Sequence, residues 1–469
     1  MGEVEKLNLQ ELVLNYKEEV VKSIQESVRI KSVQEEPLEG MPFGEGPAKA
    51  LQHMLNLGKE LGFEVENFDN YAGHIDFGTG SDEEMIGVLG HVDVVPEGKG
   101  WDHPPYEAKI VDGKMYGRGV LDDKGPTIAA LYALKAIKDS GLKLNRKVRV
   151  IVGANEETGW GCMNHYFGKL NMPQPAMAFT PDSSFPVTYA EKGILHLMLS
   201  QEYNEELNFS IKGGVAFNSV PDSVVAEFPV SMRDSIFANL DIYNEGKEFK
   251  ISATEKDGKV EVVSLGKASH GARPSNGYNA ISALFSFLTK VEIEDSKLKN
   301  LVNFFNEYIK MEYSGEGLGI NFEDEPSGVL TLTIGKIECE NKNVMFGFDI
   351  RYPVTFTKEA VIEEVEKRAK NMDLNVTVRS EKNPLYVPKD SFLVTTLMDI
   401  YKDITGDVDA EPVSIGGGTY ARAVTNGVAF GALLKDQEDN MHQKNEYLEL
   451  NKLDTWLKIY VQAIYDLAK

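Results

Sequence analysis

Apolar runs in this chain repeatedly end on a histidine or an acid, and those are the places where it can do chemistry. In Ile86-Gly87-Val88-Leu89-Gly90-His91-Val92-Asp93, strand alternation sends His91 and Asp93 to the same side. A neutral imidazole is a ligand for a borderline metal such as zinc, and a carboxylate two residues on can take the other ring N–H and fix the tautomer. Val148 to Gly153 delivers Asn155-Glu156-Glu157. Neighbours on extended chain face opposite ways, so one glutamate can bind a metal while the other works as general base. Ala176 to Thr180 ends in Pro181-Asp182. Asp122-Asp123, set among glycines ahead of a helix, fits simple capping as well as it fits ligation. His442, in Asp439-Asn440-Met441-His442, and His270, in a glycine-flanked loop, complete the candidates. Taken singly each has a bland reading. Taken together, apolar strands that each end in a histidine or an acid are poorly explained by coincidence.

The elements that must position them follow from periodicity. Helical spacing covers Leu9 to Arg29, and Gly46 to Leu61 with Gly62 as its stop. Phe63 to Phe68, Tyr71 to Phe77 and Met85 to Leu89 read as strands, Lys109 to Tyr116 as a hairpin around Asp112-Gly113, and Thr127 to Lys138 as a helix. Helices alternate with apolar strands, an α/β layering, and the acids fall where open α/β sheets place their sites. His53 and His103 read as structural. From about Val187 to Asn383 the texture changes to alternating strands with helices: an inserted α+β domain, built from two similar halves. The expected division is 1–186 and 384–469 for a mixed-sheet α/β domain with helices on both faces that carries most of the candidates, and 187–383 for the insert. Within the insert, Arg351 follows a strand from Val344 to Ile350, where the plain reading is a surface ion pair. Beyond Pro384, Ser414-Ile415-Gly416-Gly417-Gly418-Thr419-Tyr420 makes a glycine-rich turn whose N–H groups can grip a carboxylate or phosphate. It lacks the lysine and spacing of a nucleotide-binding loop.

Composition narrows the partners. Lys+Arg of 49 against Asp+Glu of 73 gives a formal net charge of -24 over 469 residues, which repels nucleic acid and anionic membrane surfaces. Small molecules, peptides and cations remain. Cys162 and Cys339 are far apart, so neither a disulfide framework nor a thiolate zinc site is expected. The start of the chain lacks a signal-peptide pattern, and no run reaches the roughly 20 apolar residues of a membrane span. The expectation is a cytoplasmic, unanchored protein.

Gly90-His91-Val92-Asp93-Val94-Val95-Pro96, Gly117-Arg118-Gly119 with Asp122-Asp123-Lys124-Gly125, Glu156-Glu157-Thr158-Gly159, Ser269-His270 and the late His442 together resemble the co-catalytic zinc peptidase and deacylase family of carboxypeptidase G, aminoacylase, succinyl-diaminopimelate desuccinylase and carnosinase. The likeness runs in order along nearly the whole chain and leans toward bacterial dipeptidases of the PepV type. It implies two Zn2+ ions per chain, for which Mn2+ or Co2+ can substitute. Asp122 would bridge both ions, beside Asp123 across a peptide step that is often cis in such proteins. His91 and Asp182 would complete one ion, Glu157 and His442 the other. Glu156 would be the general base and Asp93 the residue that orients His91.

In the inserted lid the resemblance gives His270 the oxyanion, with Asn218 nearby. Arg351 would hold the substrate's terminal carboxylate, helped by the turn carrying Gly417, Gly418 and Thr419. Asp182, where deacylases tend to carry glutamate, leans toward the peptidases. The implied activity is hydrolysis of unblocked dipeptides, carnosine-like ones included, by a single chain, with a homodimer as the alternative. Two other readings compete: an N-acyl amino acid deacylase on the same scaffold, and a non-catalytic metal-binding protein. Competent residues at every catalytic position speak against the second.

Overall fold

The computed structural model describes residues 3–469, with side chains from Leu9 onward. The chain forms two compact units. The first comprises the chain up to Tyr189 with Val387–Val413 and Gly418–Lys469; the second comprises Ala190–Tyr386 with Ser414–Gly417. Part of the glycine-rich turn therefore groups with the second unit.

The first unit is organised by a mixed sheet in the order Glu64–Phe68, Ala72–Phe77, Val148–Gly153, Ile86–His91, Met177–Thr180, Gly427–Phe430 and Val187–Glu191, the last leading into the second unit. The four strands from Val148–Gly153 to Gly427–Phe430 run parallel, and their flanking partners antiparallel. Every residue of Val148–Gly153 and Ile86–His91 is buried, as expected of strands covered on both faces, which need continuous apolar runs. The helices Glu45–Glu60, Lys124–Ser140 and Leu453–Ala468 supply much of that cover. Gly90 lets one of them come close: a Cβ there would lie 1.9 Å from Thr127 Oγ1.

The single helix expected over 9–29 is two, Glu3–Leu14 and Lys17–Val28. The break falls at Asn15-Tyr16, whose N–H groups bond three residues back, to Leu12 and Val13, tightening the turn until the helix stops. The helix expected from Thr127 starts earlier, at Lys124, because a first turn tolerates Pro126, whose missing N–H has no intrahelical partner to lose.

The second unit holds an eight-stranded sheet in the order Ile251–Lys256, Lys259–Leu265, Ser223–Pro229, Ser210–Gly213, Thr331–Glu340, Asn343–Tyr352, Gly193–Glu202, Asn375–Lys382. Every neighbouring pair is antiparallel. Along Asn343–Tyr352 the alternation sends Val344, Phe346, Phe348 and Ile350 into the apolar core beside Phe285 and Phe305. Gly347, Asp349 and Arg351 consequently point to the other face. Among the described residues no helix is long and apolar enough to cross a membrane.

Candidate functional site

Three adjacent parallel strands of the first unit deliver candidate side chains at or just beyond their carboxyl ends: Glu156 and Glu157 after Gly153, His91 at the end of its own strand, and Asp182 after Thr180. Asp122 comes from the loop ahead of Lys124–Ser140, and His442 from the loop before the strand Tyr447–Glu449. The peptide between Asp122 and Asp123 is cis. His442 has φ 62°, a left-handed conformation uncommon for a residue with a Cβ and concentrated at functional loops.

Asp122 sits at the centre. Its Oδ1 is 3.0 Å from His91 Nε2 and its Oδ2 is 2.7 Å from His442 Nε2. His442 Nε2 is also 3.2 Å from Glu157 Oε2, and His91 Nε2 is 3.9 Å from Asp182 Oδ2. Ligand atoms of His91, Asp122 and Glu157 lie within 4.8 Å of one another, as do those of His91, Glu156 and Asp182. Although close to Asp122, the buried His91 Nε2 makes no hydrogen bond, and Glu157 Oε1 is likewise buried without one. Buried polar atoms that converge without bonding to each other are disposed toward a third party, and the imidazole and carboxylate donor set suits a zinc-like cation.

The electrostatics agree. Burial and neighbouring acids push Glu156 and Glu157 up to about 7, and burial with the charge of Asp122 pushes Asp182 up to about 7. Hydrogen bonds that His442 donates to Asp122 and Glu157 carry its imidazole up to about 11. Burial works against a charged His91, yet Asp122, Asp182 and Asp93 hold its imidazole well above the ordinary range. Acids that resist ionising beside imidazoles that resist neutralising define a site in need of positive charge.

Asp93 does more than face His91. The ring Nδ1 bonds the Asp93 main-chain carbonyl at 3.0 Å, with the carboxylate 3.5 Å away. That carboxylate accepts the N–H groups of Glu156 and Glu157 at 2.9 and 3.1 Å. The tautomer is thus set mainly by the backbone of Asp93, leaving its side chain to clamp the glutamate pair. Further supports carried no assigned role in the sequence reading. Asp123 Oδ2 accepts from His91 N and Thr127 Oγ1 at 3.2 and 2.8 Å, and Trp160 Nε1 donates to Glu156 Oε1 at 2.9 Å. Fully buried Glu446 binds Arg118 Nη1 at 2.7 Å and the N–H groups of Gly119 and Leu121, tying the His442 loop to the Asp122 loop. An arginine between two glycines ahead of adjacent acids was the one sequence hint that a buried partner exists.

In the second unit, the short strand Ser219–Val220 pairs with Ser269–His270, and Gly271 N bonds Asn218 O at 2.8 Å, so Asn218 and His270 are neighbours. Ala272 N donates to His270 Nδ1 at 3.1 Å, so the neutral ring carries its proton on Nε2. Partial burial and the charge of Arg351 lower its pKa and favour that neutral form. Arg351 lies inside its strand and is 4% exposed. It is no surface ion pair: buried Asp349 accepts from its Nε and Nη2 along one edge and Gly416 O accepts from Nη1. Gly417 belongs to this unit, whereas Gly418 and Thr419 belong to the first, where Thr419 caps the turn Tyr420–Ala423.

Residues 87–466 match peptidase family M20/M25/M40. The chain belongs to that family. A protein of Bacillus subtilis (strain 168) that carries the name "Putative dipeptidase YtjP" is 39% identical over 472 residues, covering 99% of this chain and 100% of the relative. Human carnosine dipeptidase 1 matches in structure with a TM-score of 0.58 at 15% identity, over 98% of both chains. The Saccharomyces cerevisiae di-peptidase Dug1p matches at 0.56 and 15%, again over 98% of both. At such identity these two speak for the fold alone. Membership in the M20 peptidases makes the chain a hydrolase and implies a metal cofactor, the family expected from the sequence motifs.

Proposed function

We propose that this M20 enzyme is a di-zinc dipeptidase that hydrolyses the peptide bond of unblocked dipeptides. The observation that carries the reading is the convergence of His91, Glu157, Asp182 and His442 on Asp122, whose two oxygens each face a different imidazole, the disposition of a bridging carboxylate. The relatives' name supports the substrate class.

His91 and Asp182 would hold one ion, His442 and Glu157 the other, and Asp122 both. The ions would supply Lewis acidity and bring a water's pKa toward neutrality. Glu156 takes the proton of the attacking water and passes it to the leaving amine, a task suited to a carboxyl pushed up to about 7 by burial and neighbouring acids. Trp160 fixes one oxygen of that carboxylate and Asp93 fixes its backbone. His270 donates a hydrogen bond from Nε2–H to the developing oxyanion beside Asn218, a contribution worth roughly 3 kcal/mol for one aimed donor. Arg351 holds the free carboxylate of the second residue, with Gly417, Gly418 and Thr419 assigned to the same end of the substrate. A carboxylate anchor one residue from the scissile bond measures length, so longer peptides are poor substrates. The reading takes all of these residues from a single chain, with a homodimer that shares them as the alternative.

The test is a panel of Leu-Gly, carnosine, tripeptides and N-acetyl amino acids with the zinc-loaded protein. Dipeptides are expected to be cleaved and the others left largely intact. Faster release from N-acetyl amino acids would replace this reading with the deacylase.

A further inference from the structure

We propose that Asp349 is a positioning residue that sets this hydrolase's selectivity for substrates with a free carboxylate, by holding Arg351 and the His270 turn as one assembly. The proposal rests on the reading of Arg351 as the carboxylate anchor, and deepens it.

The geometry lies wholly within the second unit. Asp349 and Arg351 stand two residues apart on the strand face turned away from the helices, where side chains at i and i+2 are neighbours. Asp349 is 0% exposed, and its Oδ1 and Oδ2 take Arg351 Nε at 2.7 Å and Nη2 at 2.8 Å. With Nη1 bonded to Gly416 O at 3.2 Å, three of the five N–H groups of the guanidinium are committed. One N–H on Nη1 and one on Nη2 remain. A substrate carboxylate would meet a fork whose orientation Asp349 has already set, and whose charge Asp349 already balances. Recognition then depends on two aimed hydrogen bonds more than on net attraction, which favours a planar carboxylate over an amide or a hydroxyl.

The same carboxylate seats the turn that carries His270. A Cβ at Gly271 would lie 2.2 Å from Asp349 Oδ2, so only glycine lets the backbone after His270 rest on this acid. Gly271 N bonds Asn218 O and Ala272 N bonds His270 Nδ1 from that position. On the remaining side His196 Nε2 is 3.7 Å from Asp349 Oδ1, with its ring stacked on Phe217 next to Asn218. One acid thereby sets both the donor for the carboxylate and the backbone that aims the oxyanion histidine.

The test compares kcat/KM for Leu-Gly and for its C-terminal amide in wild type, D349N, G271A and R351A. D349N keeps the shape but turns an NH2 toward an Arg351 N–H; G271A keeps every charge but displaces the Asp349 carboxylate. Both are expected to lower the carboxylate-over-amide preference about tenfold or more, through KM for Leu-Gly more than through kcat. Whichever of the two folds, as judged by circular dichroism, a preference equal to wild type overturns the inference. If R351A abolishes the preference while D349N and G271A keep it, the anchor stands and the positioning role falls. A preference untouched in R351A removes the anchor reading, and this inference with it.

Discussion

Glu156 and Glu157 are chemically identical neighbours, and the proposal gives them opposite work. Glu156→Gln removes a proton acceptor and spares the five assigned ligands. The expected outcome is unchanged metal per chain by elemental analysis, with kcat lower by on the order of 10²- to 10⁴-fold. His442→Ala is expected to do the reverse at first, losing metal on dialysis before any effect on the saturated rate is visible. Glu156 lies within ligand range of His91 and Asp182, so if Glu156→Gln sheds metal as readily as His442→Ala, base and ligand have exchanged places. His91, Glu157 and Asp182 were legible as candidates because each sits at or just past the end of an apolar run, a property of local sequence, whereas Asp122 lies in a loop and drew its ligand role from the family resemblance. The second duty of Asp93 was not legible. Its carboxylate reaches the amides of Glu156 and Glu157 across more than sixty residues, and only the parallel register of Ile86–His91 with Val148–Gly153 brings them together.

Loops, more than strands, decide whether the centre holds its shape. The Asp122 and His442 loops are joined through Glu446, which has no exposure and satisfies Arg118 and two backbone N–H groups at once. Breaking a buried pair by removing one partner leaves an uncompensated charge, at a cost of about 3–5 kcal/mol. Glu446→Ala should therefore lower the urea midpoint of unfolding by that equivalent and weaken zinc retention, since His442 stands four residues away. Adding Arg118→Met to Glu446→Leu should recover part of the loss, leaving the share due to the orphaned N–H groups of Gly119 and Leu121. A Glu446→Ala protein as stable as wild type would show that the link is idle. Periodicity found the helices and strands on either side of these loops, but no spacing rule pairs an arginine with a glutamate 328 residues away. Arg351 was misplaced for a related reason. The apolar run points to a strand that stops at Ile350, whereas alternation continues to Tyr352, and the pairing that buries the arginine, with Asp349 two residues earlier, is visible only once the strand's two faces are told apart.

At the scale of the whole molecule, a chain of net charge -24 keeps a further group of acids inside its fold, and its stability should register how those acids are neutralised. Glu156 and Glu157 rise from 4.5, and Asp182 from 3.8, each to about 7 on folding. Between those limits the folded state binds more protons than the unfolded one, so stability falls as pH rises through 7. His442 acts in the same direction: raised from 6.5 to about 11, it contributes fully below 6.5 and loses that contribution as pH rises toward 11. Chelator-treated protein is therefore expected to melt at a lower temperature at pH 8.5 than at pH 5.5. Zinc competes with those same protons, so its affinity increases with pH, and ligand-linked stabilisation increases with affinity. The rise in melting temperature on adding zinc should accordingly be larger at pH 8.5 than at pH 5.5, read by calorimetry at matched ionic strength. Equal increments at both pH values would mean that zinc binds away from the groups whose protons it should displace, and the assignment of Glu157, Asp182 and His442 as its ligands would fall.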